Sequence, residues 1–199
     1  MEVNIQDLSV SLYNYLCKIV GSEDVVRTRR RIFNAIDYVN SSIHNTYISS
    51  GSKAEGLDLD GSDYDLIVVD NLMPVYENID DFTNTPISPE ALLIDNNDTK
   101  PGYARLRLLT MNQIHSDIDY MYTTFLSNKS VLERNDLRSS FIHGPCKSHP
   151  SGLFDTVIGL RCKKWISQAE EWTHRSRSSW PQNRLIETIV QYGVLFVPI

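Results

Sequence analysis

The chain has 199 residues, 41% of them hydrophobic and 22% charged, which is a globular balance long enough for one good core or for one domain and part of another. No apolar run approaches membrane-span length, the start Met1-Glu2-Val3-Asn4 has no basic segment leading into an apolar one, and Cys17, Cys146 and Cys162 are odd in number and widely spaced, so we expect a cytoplasmic protein with reduced thiols and no membrane partner. A net charge of −6 counts against a general nucleic-acid binder, although carboxylates kept for a metal enter the same sum.

Leu8, Leu12, Leu16 and Ile19 recur at helical spacing and predict a helix over 5–20, ended by Gly21. Ser22 suits the N-cap of a second helix reaching about residue 43, with Val25, Ile32, Phe33, Ile36 and Val39 inward and Arg27, Arg30 and Arg31 on the solvent side. Thr46-Tyr47-Ile48-Ser49 is short and β-prone, and Gly51 breaks it. Ser52 to Leu57 reads as a helical turn, and Asp60-Gly61-Ser62 as a turn leading into a buried strand over Tyr64–Val69.

Residues 70–100 read as turn-rich. Ala91–Ile94 and Ala104–Leu109 read as strands of a hairpin-like pair, 127–140 as a polar helix or connection, and His143-Gly144-Pro145 as loop. Thr156–Leu160 is a further apolar run behind Asp155. Trp165, Ala169 and Trp172 share helical spacing. A last helix is expected from Trp180-Pro181, with Leu185, Ile186, Ile189 and Val190 inward and Gly193 at its end, before a strand over Val194–Val197. The order of helices, sheet and helices predicts an α+β (mixed α/β) fold.

The chemistry concentrates between residues 50 and 69. Gly51-Ser52 is a turn whose amides and hydroxyl suit a phosphate, because a missing Cβ permits close approach. Eleven residues after Ser52 stands Asp63-x-Asp65, at the head of the apolar run. Carboxylates at i and i+2 of a strand share a face and suit a hard divalent cation such as Mg2+ or Mn2+. Two cations held against a nucleoside triphosphate need about three protein carboxylates. Asp155, and Asp117 with Asp119, are both candidates for the third, and the more apolar run after Asp155 favours it modestly. Asp residues that merely end a strand beside a turn are the plainer alternative.

Other features carry less. Arg27, Arg29, Arg30 and Arg31 could follow a nucleic-acid backbone, as could Arg161, Lys163, Lys164, Arg175, Arg177 and Arg184, but solvated helix faces account for both groups. Cys146, His149 and Cys162 have no ordinary zinc spacing. Trp165, Trp172 and Trp180 read as packing residues, and Lys53 as an exposed lysine.

Gly51-Ser52 with Asp63-x-Asp65 resembles the DNA-polymerase-beta-like nucleotidyltransferase superfamily. Pro101-Gly102-Tyr103-Ala104-Arg105-Leu106, His143-Gly144-Pro145, Leu160-Arg161-Cys162-Lys163-Lys164-Trp165, Ala169-Glu170-Glu171-Trp172 with Arg175-Ser176-Arg177, Trp180-Pro181 and Val197-Pro198 narrow the resemblance. In this order they resemble the male-abnormal (Mab) family, which includes cyclic GMP-AMP synthase and cGAS-like receptors. The resemblance covers nearly the whole chain from about residue 25.

It implies a nucleotidyltransferase fold with a twisted central mixed sheet flanked by helices and a long N-terminal helix. It also implies an enzyme that joins ATP and GTP into a cyclic dinucleotide with Mg2+ or Mn2+, serves innate immune signalling, and responds to double-stranded RNA or DNA. Asp155 matches the family's third metal-binding acid, and Gly51 and Ser52 its phosphate-contacting pair. The family continues beyond the stretch matching Val197-Pro198-Ile199 into a helical lobe that this chain lacks. Residues 1–199 therefore correspond to the core domain. A catalytically silent interaction protein of the same family, or an inactive fragment, is the competing expectation, and a transferase making linear products is a third.

Overall fold

A computed structural model describes residues 5–84, 90–97, 99–110, 141–143 and 145–197. The chain is mixed α+β, as expected, with an eight-stranded sheet and helices before and after its strands. The elements, in chain order, are α1 (Ile5–Ile19), α2 (Glu23–Asn40), β1 (Asn45–Ser50), the single turn α3 (Gly51–Ala54), β2 (Tyr64–Tyr76), α4 (Ile79–Asn84), β3 (Glu90–Asp95), β4 (Arg105–Thr110), β5 (Phe141–His143), β6 (Cys146–Ser148), β7 (Phe154–Cys162), a 3-10 turn (Ser167–Ala169), α5 (Glu170–His174), α6 (Asn183–Tyr192) and β8 (Val194–Phe196). The hydrogen-bonded path is β4-β3-β2-β7-β6-β5, with β1 on β2 and β8 on β7. β2 and β3 are parallel, whereas the β3–β4, β5–β6, β6–β7 and β7–β8 pairs are antiparallel.

Two compact units share β2 and β7. One comprises the described residues within Met1–Val68 and Leu137–Ile158, the other those within Val69–Asp136 and Gly159–Pro198. The second holds the apolar core: Met73, Val75, Leu92, Ile94, Leu106, Leu160, Cys162 and Ile166 are all buried together. The expected hairpin supplies part of it, with Leu92 opposite Leu108 and Ile94 opposite Leu106. Gly193 ends α6 at φ +93°, and an added Cβ there would lie 2.1 Å from the Cys162 carbonyl oxygen, so only glycine fits the step into β8.

Several expectations change. The stretch 70–76 is not turn but the continuation of β2 through Pro74, after which Val75 and Tyr76 pair with Leu92 and Leu93. His143 belongs to a strand and pairs with Cys146. α6 starts at Asn183, two residues after a buried Pro181 that follows a cis peptide bond. Leu185 is exposed, whereas Ile186, Ile189 and Val190 are half-buried. Trp165 and Trp172 pack ring on ring at 5.5 Å, but Trp180 is exposed.

The largest change concerns α2. Of its expected inward positions Phe33 is half-buried, but Val25, Ile32, Ile36 and Val39 are exposed, and the other half-buried residues are Val26, Arg29 and Asp37. That face is chosen by polar contacts: Asp37 accepts the backbone N–H of Ser49 on β1, and Arg29 donates to the Gly56 carbonyl.

Candidate metal and phosphate site

Three carboxylates converge at the beginnings of β2 and β7. Asp63, Asp65 and Asp155, all half-buried, each offer an oxygen lying within 4.8 Å of the others. Among the described residues this is the one grouping of three or more His, Cys, Asp or Glu side chains able to share an ion. Asp117 and Asp119 lie outside the described residues.

Strand alternation explains the geometry. Asp63 and Asp65 flank Tyr64, so the tyrosine takes the opposite face. There its ring stacks on Phe33 of α2 at 5.6 Å, and its hydroxyl shares a 2.6 Å hydrogen bond with Ser49. The Ser49 hydroxyl in turn donates to Asp37 at 2.5 Å. Tyr64 is thus fixed from behind and holds the register of the acids on either side. Its backbone N–H donates to the Leu153 carbonyl at 3.0 Å, which ties the start of β2 to the turn entering β7 and brings Asp155 to the other two. On β7, Asp155 stands opposite Ser148 of β6.

The Gly51-Ser52 turn belongs to the same cluster. Gly51 has φ +70°, and a Cβ built on it would lie 1.9 Å from Oδ2 of Asp65. Glycine is required on two counts: the left-handed backbone and the contact with a carboxylate. The turn closes through Glu55 N–H to Gly51 O at 3.1 Å, Gly56 N–H to Lys53 O at 2.9 Å, and Leu57 N–H to Ser52 O at 2.9 Å.

Helix α2 grips this turn from outside. Gly56, at φ +83°, sits so close to Val26 that an added Cβ would come within 2.6 Å of its carbonyl oxygen. Arg30 donates to the Glu55 carbonyl at 2.7 Å, and Arg29 donates to the carbonyls of Gly56 and Val20 while facing Asp58 at 3.6 Å. Sequence reasoning assigned these arginines to solvent or to a nucleic-acid backbone. The carbonyl partners Glu55 and Gly56 could not be read from spacing, because they lie more than twenty positions away.

Electrostatics agree with a cation site. Burial, then the charges of Asp63 and Asp155, raise the pKa of the Asp65 carboxyl above its ordinary value. Burial and the same acids, Asp155 foremost, raise the Cys146 thiol, so it stays protonated. Cys146 therefore faces the acids, a neighbour sequence reasoning considered only for zinc. Cys162 is instead buried in an apolar cluster with Leu160 and Ile166. The three carboxylates could together hold a metal ion: they are hard oxygen donors, mutually repelling until a cation neutralises them.

Three residues of the second basic group are also engaged. Arg161 lies over the Tyr192 ring at 4.9 Å, Arg177 lies over Trp172 at 4.6 Å and donates to backbone carbonyls, and Lys164 pairs with Asp81. No helix among the described residues is long and apolar enough to cross a membrane. No protein-family model matches the chain, and a search of curated proteins returns no match.

Proposed function

We propose that the chain is the core of a divalent-metal-dependent nucleotidyltransferase. The observation that carries this reading is the contact of Gly51 with Asp65 inside the Asp63, Asp65 and Asp155 cluster, which joins a phosphate-type turn to a cation-type acid set. Asp63, Asp65 and Asp155 would hold Mg2+ or Mn2+. The cation supplies charge neutralisation for a triphosphate and acidifies an attacking hydroxyl. Gly51 and Ser52 present backbone amides and a hydroxyl to the phosphate tail, and the Tyr64–Ser49–Asp37 chain keeps the acids aligned. Pre-set geometry of this kind is the protein's main contribution to phosphoryl chemistry.

The resemblance to the Mab family extends the proposal: ATP and GTP as substrates, a cyclic dinucleotide as product, innate immune signalling in the cytoplasm as setting, and double-stranded RNA or DNA as activator. The activator has the least support, because Arg27, Arg29, Arg30, Arg161, Arg177 and Lys164 already serve partners within the chain. The competing reading is a silent member of the same fold.

Calorimetric titration of ATP and GTP, with and without Mn2+, tests the first layer. Metal-dependent binding lost in Asp65→Ala supports the site, and metal-independent or absent binding refutes it. Incubation with ATP, GTP and Mn2+, with or without double-stranded RNA or DNA, tests the second: a nuclease-resistant cyclic product supports the synthase, linear products point to another transferase, and binding without turnover points to the silent reading.

A further inference from the structure

Helix α1 is an amphipathic helix with most of its surface open to solvent. Every residue of it is exposed except the half-buried Cys17. Ile5, Leu8, Leu12, Leu16 and Ile19 are between 48% and 81% exposed. At the helical repeat these five fall within an arc of about 80°, and the other exposed apolar side chains of α1, Val10, Tyr13 and Tyr15, lie outside that arc. An isolated helix of 15 residues is marginal in water, and a bare aliphatic stripe adds to that instability, so the helix calls for a cover.

The stripe itself identifies the cover. Its spacing is three, four, four, three, and its residue types run Ile, Leu, Leu, Leu, Ile. Both series read the same in either direction about Leu12. A second copy laid antiparallel therefore meets this one in register, with Leu12 on Leu12, Leu8 on Leu16 and Ile5 on Ile19. That self-complementarity is what a two-fold interface demands. An unrelated partner helix has no reason to require it.

The only charged residues of α1, Asp7 and Lys18, fall on the opposite half of the helix, so no charge is desolvated. Antiparallel packing also sets each helix's positive end against the other's negative end. Covering the stripe removes roughly 500 Å2 from water on each copy, or about 1,000 Å2 in the pair, the lower bound of a specific interface. We propose that the protein forms a weak two-fold dimer through antiparallel pairing of α1, centred on Leu12.

Sedimentation equilibrium of the full chain, from about 1 to 200 µM, reads the result. The native protein should pass from monomer to dimer with a midpoint in the micromolar range. Leu12→Glu and Leu12→Lys should each remain monomeric, because like charges meet at the axis, and an equimolar mixture of the two should dimerise again. Leu8→Glu mixed with Leu16→Lys should do the same, and far-UV circular dichroism confirms that each variant is folded. A native chain that stays monomeric throughout, including one whose α1 instead binds lipid vesicles, overturns the proposal. So do a dimer that survives in Leu12→Glu and charge-swap mixtures that fail to re-associate.

Discussion

The two units spend the same strands differently. The first residues of β2 and β7 belong with the acids, and their later residues supply Val69, Met73, Val75, Leu160 and Cys162 to the apolar core. Among the described residues, every buried hydrophobic side chain lies in the unit containing the ends of these strands. Among its described residues, the unit containing their beginnings has a buried Gly56 but no buried hydrophobic side chain, and beside the Phe33–Tyr64 ring stack it is held by directed contacts: Arg29 and Arg30 on carbonyls, Asp37 on Ser49, Ser49 on Tyr64. Burial is non-directional and forgiving of position, whereas hydrogen bonds fix geometry. A site that must hold three carboxylates in register is built from the second kind of contact.

Substitutions should separate the two kinds. The largest loss is expected from Leu92→Ala, since a fully buried leucine leaves both lost transfer energy and a cavity, about 2–5 kcal/mol in denaturant unfolding, with little effect on Mn2+ binding to the remaining folded protein. Gly51→Ala should cost less in stability, about 1–3 kcal/mol from the left-handed backbone and the collision with Asp65, but should abolish the thermal shift produced by Mn2+. Arg29→Ala should cost about 1–2 kcal/mol, because two carbonyls lose a charged donor, and Arg29→Lys should not fully restore it, since a point charge cannot reproduce the fork. Tyr64→Phe is the mildest, about 1 kcal/mol, and should weaken Mn2+ binding only slightly.

A pH titration sharpens the same contrast. The folded-state pKa of Asp65 lies above its unfolded value, so its charged form is the disfavoured one. Without metal, the protein should gain stability as pH falls through that raised pKa and lose it as pH rises through the window between the ordinary and raised values. Asp65→Asn should flatten this slope in thermal melts, leave the metal-free melting temperature unchanged or higher, and remove the response to Mn2+. A metal-free melt of Asp65→Asn far below the native one would contradict the repulsion argument.

The acids and the Gly-Ser turn were legible because alternation and backbone freedom are local properties. Asp63-x-Asp65 announces a shared face, Gly51 announces a close approach, and the apolar run behind Asp155 announces a buried strand. Apart from Phe33, the inward side of α2 was not legible. Val25, Ile32, Ile36 and Val39 form as good a stripe as any, and periodicity carries no information on which side meets the sheet. That choice rests on Asp37 reaching Ser49 and Arg29 reaching Gly56, pairs far apart in sequence. The length of β2 was hidden similarly: residues 70–100 read as turn-rich, yet β2 runs on through Pro74 and pairs with β3 only after it, at Val75 and Tyr76. The place of Cys146 near the acids was hidden because strand pairing alone brings β6 beside Asp155.

The absent methyl at Gly51 has a consequence for laboratory evolution. In a library randomised at positions 51 and 65 and selected only for folding, any side chain at 51 should survive chiefly with a shorter residue at 65. Each such clone has surrendered a carboxylate. Selection for robustness and selection for chemistry would then pull this pair of positions in opposite directions, and a lineage that drifts toward the first would find return difficult, because reinstating the aspartate alone recreates the clash.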